Sequence, residues 1–197
     1  LYFVFFHLKE SIMFHSFQKN VLTSSDCSQL ISLANSIGFT PSTVNIHGQL
    51  KSVPSIRNNE RIDFHNPTLA SQLLPYILEK FPQIASFKNK QFLELNDNFR
   101  FYHYSKDQYF KPHKDGHVID GNKESFLTIL FYLNDCSNDS GGQTILMPNG
   151  FSHSHSWISI SPTKGSVLIF DHDCWHESKP LNFGEKFVLR TDAFFQI

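Results

Sequence analysis

From about residue 91 the chain consists of short runs of aromatic and β-branched residues separated by polar turns, with no amphipathic helix between them. FRFYHY (99–104), SFLTILFYL (125–133), GSVLIF (165–170) and KFVLRTDAFF (186–195) have the composition of strands. The connectors NDCSNDSGG, MPNG and NFGE supply the Gly, Asn, Asp and Pro that turns require. Parallel strands need long crossovers, usually helical, so this pattern predicts an antiparallel sandwich or jelly roll. Two helices are expected ahead of it. Residues 23–37 offer N-cap oxygens from Thr23 to Asp26, an apolar face of Leu30, Ile31, Ala34 and Ile37, and Gly38 as a stop. Residues 67–80 have Asn66 as cap, Pro67 in the first position and a face of Leu69, Leu73, Leu74 and Ile77. Pro75 inside that face predicts a kink or a split. Helices followed by strands make an α+β chain.

A length of 197 residues fits one domain able to bury a full core. The expected organisation is an N-terminal extension (1–22), a helical support region (23–90) and a strand-rich core (91–197). Lys and Arg number 17 against 18 Asp and Glu, which excludes a strongly basic nucleic-acid binder. Cys27, Cys136 and Cys174 are odd in number and widely spaced, so neither a disulfide framework nor a CxxC motif is expected. The opening LYFVFF run is too short for a signal core or a membrane span. The expectation is therefore a cytoplasmic protein with no membrane or nucleic-acid partner; its oligomeric state is left open.

The composition singles out 21 Phe and 11 His. Most of the histidines have no partner in the pattern. His153 and His155 alternate in a Ser-rich stretch that reads as solvated, and Gly116 argues against a helical metal pair of His113 and His117. His172 reads as a core or supporting residue. His113 and Asp115 differ, because positions i and i+2 of a strand share a face and can hold one ion. His176, at the end of a later strand-rich stretch, is the candidate third ligand. Two His and one carboxylate with open positions form the facial triad of non-haem Fe(II) oxygenases. Lys186 and Arg190 follow on one face of the last strand, and a buried cation needs an anion. A dicarboxylate cosubstrate meets both requirements; a plain pairing with Asp192 or Glu185 is the alternative.

From about Asp26 to Phe195 the chain resembles the Fe(II)/2-oxoglutarate-dependent dioxygenase superfamily, and within it the prolyl 4-hydroxylase-like branch. The resemblance rests on FRFYHYSKDQYFKPHKDGH (99–117), on FLTILFYLN followed by GGQT (141–144), and on the stretch from SPTKGSVLIF through DHDCWHESKP to KFVLRTD. It implies a double-stranded β-helix (jelly roll, cupin-like) with the N-terminal helices packed on one sheet. His113, Asp115 and His176 match the iron ligands, and Lys186 matches the lysine for the distal carboxylate of 2-oxoglutarate. Tyr104 matches a tyrosine that hydrogen-bonds the same carboxylate. Thr128, Leu130 and Tyr132 match positions lining that pocket. Arg190 lies outside the lysine-type pattern and is an alternative or auxiliary anchor. Phe110 stands where many relatives have Tyr.

The implied cofactors are Fe(II), 2-oxoglutarate and O2, with ascorbate as reductant. The implied reaction is hydroxylation with release of succinate and CO2, most simply on a peptidyl proline, with a free amino acid or small metabolite next. The polar segment 41–61 is a candidate lid or substrate loop in which Arg57 and Arg61 hold a substrate carboxylate or peptide backbone, or brace the barrel, and 117–125 is a second lid candidate. Two readings of other classes stand beside it. A zinc hydrolase would use the same ligands, although no HExxH is present, and a non-catalytic cupin-like module would bind metal without turnover.

Overall fold

In a computed structural model, which describes residues 13–197, the strands form one large and one small antiparallel sheet facing each other. The LYFVFF run lies outside the described residues. The large sheet runs in the order His15–Gln18, Val167–Asp171, Lys123–Tyr132, Lys186–Gln196, Asn98–Tyr104, Glu60–His65, Thr40–Pro41. The small sheet runs Ile158–Ile160, Thr144–Met147, Trp175–Ser178, Phe110–His113. This is the expected jelly roll.

Both faces of the large sheet are covered, which is why its central strands are apolar at nearly every position. Phe99, Phe101, Leu127, Ile129, Phe131, Val167, Ile169, Phe187 and Leu189 point outward and form a core with the helices. The alternate positions Tyr102, Tyr104, Leu130, Tyr132, Leu168, Phe170 and Val188 point inward, against Leu146 of the small sheet. Two-residue periodicity thus separates a dry support layer from the barrel interior.

The first helix spans Ser24–Ile37, with Thr23 and Asp26 forming a reciprocal capping box. Its buried residues are Cys27, Leu30 and Ala34, whereas Ile37 is 46% exposed and does not belong to the packing face. The second helix spans Pro67–Lys80, capped by the Asn66 side chain on the Leu69 amide. Of the two expected outcomes at Pro75, the split is not seen: the helix runs on through it. Pro75 and Ser71, whose carbonyl loses its partner, both face solvent, where water can take the freed acceptor. The segment 41–61 is more ordered than a loop: Val44–Ile46 pairs with Gln49–Lys51 as a hairpin, and Glu60 opens a strand of the large sheet. The 117–125 stretch likewise folds back, pairing Ile119–Asp120 with Lys123–Glu124. Among the described residues no helix is long and apolar enough to cross a membrane.

Candidate active site

His113 ends a strand of the small sheet, Asp115 follows it by two residues, and His176 pairs directly across from His113. Their ligating atoms lie within 4.8 Å of one another. Nδ1 of His113 is 2.8 Å from the Lys111 carbonyl, and Nδ1 of His176 is 3.0 Å from the Cys174 carbonyl. A carbonyl can only accept, so each Nδ1 carries the proton and each Nε2 is left as a lone-pair donor. Burial lowers the pKa of both rings, His113 well below the usual histidine range, so they stay neutral as ligands require.

Asp115 is held on both oxygens. Arg190 Nη1 donates to Oδ1 at 2.5 Å, and Thr128 Oγ1 donates to Oδ2 at 2.6 Å. Burial alone would raise this carboxyl, but Arg190 above all, then His176 and His113, outweigh it and hold it well below the usual carboxylate range. The Thr128 proton goes to Asp115, so its oxygen accepts from His172 Nδ1 at 2.9 Å. His172 Nε2 in turn accepts from Ser125 Oγ at 3.1 Å, and Ser125 accepts from the Val118 amide. Burial drops the His172 pKa to about 4, which keeps this ring neutral and the chain of donors intact.

Beyond Thr128, the turn at Gly141 and Gly142 brings a second group to the barrel interior. Both glycines have positive φ, and a Cβ on Gly141 would lie 2.3 Å from the Pro180 carbonyl. The Gly142 carbonyl, held there, accepts from Lys186 Nζ at 2.6 Å, and Ser178 Oγ accepts at 2.9 Å. Lys186 is 2% exposed and has no carboxylate within ion-pair distance among the described residues. Its burial pulls the ammonium pKa down to about 8. The nitrogen lies 4.9 Å from the Tyr104 ring. A cavity connects it to the triad, lined by Tyr102, Tyr104, Phe110, Leu130, Thr144, Ser178 and Val188 besides the charged groups. Two neutral imidazoles and one carboxylate at one end and an unmatched cation at the other suit a metal chelated by a dianionic keto acid.

The other sequence candidates differ in how they meet the cavity. Thr128 and Tyr132 share the strand face of Leu130, but neither lines the cavity: Thr128 braces Asp115, and the Tyr132 hydroxyl bonds Thr144 Oγ1 at 2.8 Å. Arg190 lines the cavity, yet its guanidinium is engaged by Asp115 and by Asp192 at 2.9 Å. Tyr102, Thr144 and Ser178 were not singled out by sequence; the i+2 rule along the Tyr104 and His176 strands is the signal that finds Tyr102 and Ser178. Arg57 is buried against the cavity's aromatic wall, while Arg61 pairs with Asp63 at 2.8 Å.

Residues 99–191 match the family model of the 2OG-Fe(II) oxygenase superfamily. The match covers 93 of the 197 residues and takes in His113, Asp115, His176 and Lys186. No curated protein matches it by sequence. Among solved structures it is similar to a prolyl hydroxylase of Trichoplax adhaerens in complex with a hypoxia inducible factor peptide fragment, at TM-score 0.68 and 21% identity, covering 91% of this chain and 83% of that one. It is also similar to the viral collagen prolyl hydroxylase of Paramecium Bursaria Chlorella virus-1 in its 2OG complex, at TM-score 0.62 and 18% identity, covering 93% and 96%. A third is HygX of Streptomyces hygroscopicus with nickel, 2-oxoglutarate and hygromycin B bound, at TM-score 0.58 and 13% identity, covering 94% and 84%. At these identities the likeness is one of fold.

Proposed function

We propose that this protein is a 2-oxoglutarate- and Fe(II)-dependent oxygenase, a hydroxylase of the prolyl 4-hydroxylase kind, with His113, Asp115 and His176 holding Fe(II) and Lys186 holding the distal carboxylate of 2-oxoglutarate. The observation that carries the reading is the buried, unmatched Lys186 ammonium at the end of the cavity that begins at the triad. Fe(II) with 2-oxoglutarate and O2 supplies the oxidising chemistry, yielding succinate, CO2 and a hydroxylated product. The chain's own work is placement. His113 and His176 present Nε2 because backbone carbonyls hold their Nδ1 protons. Asp115 is oriented by Thr128 and Arg190, so Arg190 acts on the carboxylate ligand rather than as the main cosubstrate anchor. Tyr104 flanks Lys186, its hydroxyl pushed up to about 12 by burial, and stays a neutral hydrogen-bond donor.

The peptidyl-proline preference rests on the prolyl hydroxylases among the similar folds; HygX keeps a small-molecule substrate as the second reading. In the same reading the 23–90 region supports the core at 91–197 within one oxygenase domain, and ascorbate keeps the metal reduced. Anaerobic titration with Fe(II) and 2-oxoglutarate should produce a weak visible charge-transfer band. Well-folded protein that gives no such band, and forms no succinate in air, would refute the assignment. A mass-spectrometric screen for a 16 Da gain on peptides and amino acids would then identify the substrate.

A further inference from the structure

A groove of about 530 Å³ opens onto the metal-ligand end of the cavity, and its lining carries far more positive than negative charge. Arg57, Arg61, Arg100, Lys114 and Arg190 line it, against the single carboxylate of Asp115. Four of these cations have acidic partners. Arg61 and Arg100 share Asp63, at 2.8 and 3.2 Å. Lys114 lies 3.8 Å from Asp173, and Arg190 is bound by Asp115 and Asp192.

Arg57 differs. It is 5% exposed, its Nε donates to the Asn59 amide oxygen at 2.7 Å, and its buried Nη2 has no acceptor. No carboxylate lies within ion-pair distance of it among the described residues. Its guanidinium carbon sits 4.7 Å from the Tyr102 ring and 4.4 Å from the Phe110 ring. Phe110 stacks on His113 at 3.5 Å between ring centres, so one aromatic ring separates this cation from the metal-ligand imidazole. The backbone bridge from Arg57 to Phe110 fixes that placement before any ligand arrives. The local potential also registers on Tyr102: burial pushes its hydroxyl up, but Arg190, Arg100 and Arg57 outweigh burial and the net shift is downward. Stacking between two rings accounts for the flat faces of the guanidinium, yet it leaves donor hydrogens unmet. Buried charges are normally met by hydrogen bonds as well as by packing.

We propose that the substrate of this oxygenase carries a carboxylate and that Arg57 binds it beside the metal site. The proposal rests on the prolyl hydroxylase reading above and narrows it, since a neutral peptide carbonyl would accept from Nη2 but leave the buried charge of Arg57 unmatched. The carboxylate can be that of the reacting residue itself, as in a free acid or chain end, or that of an acidic neighbour in a peptide.

Protein loaded with Mn(II) and saturated with 2-oxoglutarate tests this by paramagnetic relaxation of probe protons. The probes are N-acetyl-L-proline with its amide, and N-acetyl-Pro-Asp-amide with N-acetyl-Pro-Asn-amide. At least one acid should bind roughly tenfold or more tightly than its neutral partner, the order expected for a charge-assisted hydrogen bond. Which acid does so identifies the source of the carboxylate. Arg57→Gln should remove the preference, and Arg57→Lys should restore part of it. The wild-type comparison needs no variant to fold. Equal relaxation by acids and amides, or none by any probe while Mn(II) and 2-oxoglutarate are bound, overturns the proposal. Failure to bind Mn(II) and 2-oxoglutarate at all would instead overturn the oxygenase reading on which it stands.

Discussion

Replacing Lys186 with methionine should make the ligand-free protein no less stable while nearly abolishing 2-oxoglutarate binding. A lysine drawn from its ordinary value of 10.5 to about 8 carries, in its charged form at pH 7, roughly 3 kcal/mol of unfavourable free energy. Methionine removes that burden but strands two acceptors, the Gly142 carbonyl and Ser178 Oγ, at roughly 1 kcal/mol each. The net expectation is Lys186→Met more stable than wild type by about 1 kcal/mol at pH 7, read by urea unfolding without ligand. The pH dependence gives the sign independently. Between about 8 and 10.5 the unfolded lysine keeps its proton and the folded one releases it, so wild-type stability rises with pH across that interval. The advantage of the variant should therefore shrink and reverse by pH 10.5. The charge-transfer titration should meanwhile show 2-oxoglutarate affinity weakened by about 100-fold or more, since a buried cation's partner is left without its match. A variant less stable by 2 kcal/mol or more at pH 7, or one that still binds 2-oxoglutarate tightly, would refute the argument that Lys186 is an uncompensated cation awaiting an anion.

His176→Ala should abolish tight Mn(II) binding, seen as free Mn(II) in the electron paramagnetic resonance spectrum, with the fold retained by circular dichroism. Thr128→Val removes a donor from Asp115 without changing shape, and metal affinity should fall by about 10- to 100-fold. Arg190→Gln leaves Asp115 and Asp192 buried without their cation, so ligand-free stability should drop by about 3–5 kcal/mol; an effect under 1 kcal/mol would contradict the ion-pair assignment. Pro75→Ala restores an intrahelical hydrogen bond in an exposed turn and should raise the unfolding free energy by about 1 kcal/mol or more.

Much of this architecture was legible in the sequence because it follows from two local rules. Two-residue alternation marked the strands and sorted Lys186, Val188 and Arg190 from Phe187 and Leu189. Cap chemistry placed both helices, through Thr23 with Asp26 and through Asn66. The rules failed where an outcome depends on what lies across a gap. Alternation put Thr128, Leu130 and Tyr132 on one face, but only the opposing strands decide that Thr128 meets Asp115, that Tyr132 meets Thr144 and that Leu130 alone reaches the cavity. A split at Pro75 did not follow because the harm a proline does depends on whether its freed carbonyl faces water. Ile37 was misjudged because the end of a helix can run past the layer it packs on.

The two cations of the last strand show why charge sign alone did not assign their roles. Lys186 and Arg190 are four residues apart on one face, a span of roughly 13 Å. Asp192 follows two residues later on that face and, with Asp115, neutralises Arg190; nothing of the kind stands beside Lys186 among the described residues. Arg190 is therefore matched before any ligand binds and contributes rigidity, fixing the one carboxylate of the triad in place. Lys186 is held by neutral acceptors only, which position its nitrogen without neutralising it. A cation so placed disfavours its own burial and favours any anion of the right reach. Arg57 repeats this arrangement on the groove side, where Asn59 positions the guanidinium but does not neutralise it. The pattern common to Lys186 and Arg57, a buried cation oriented by neutral oxygen and left without a carboxylate, separates the positions that wait for ligands from those, like Arg61 and Arg190, that hold the barrel together.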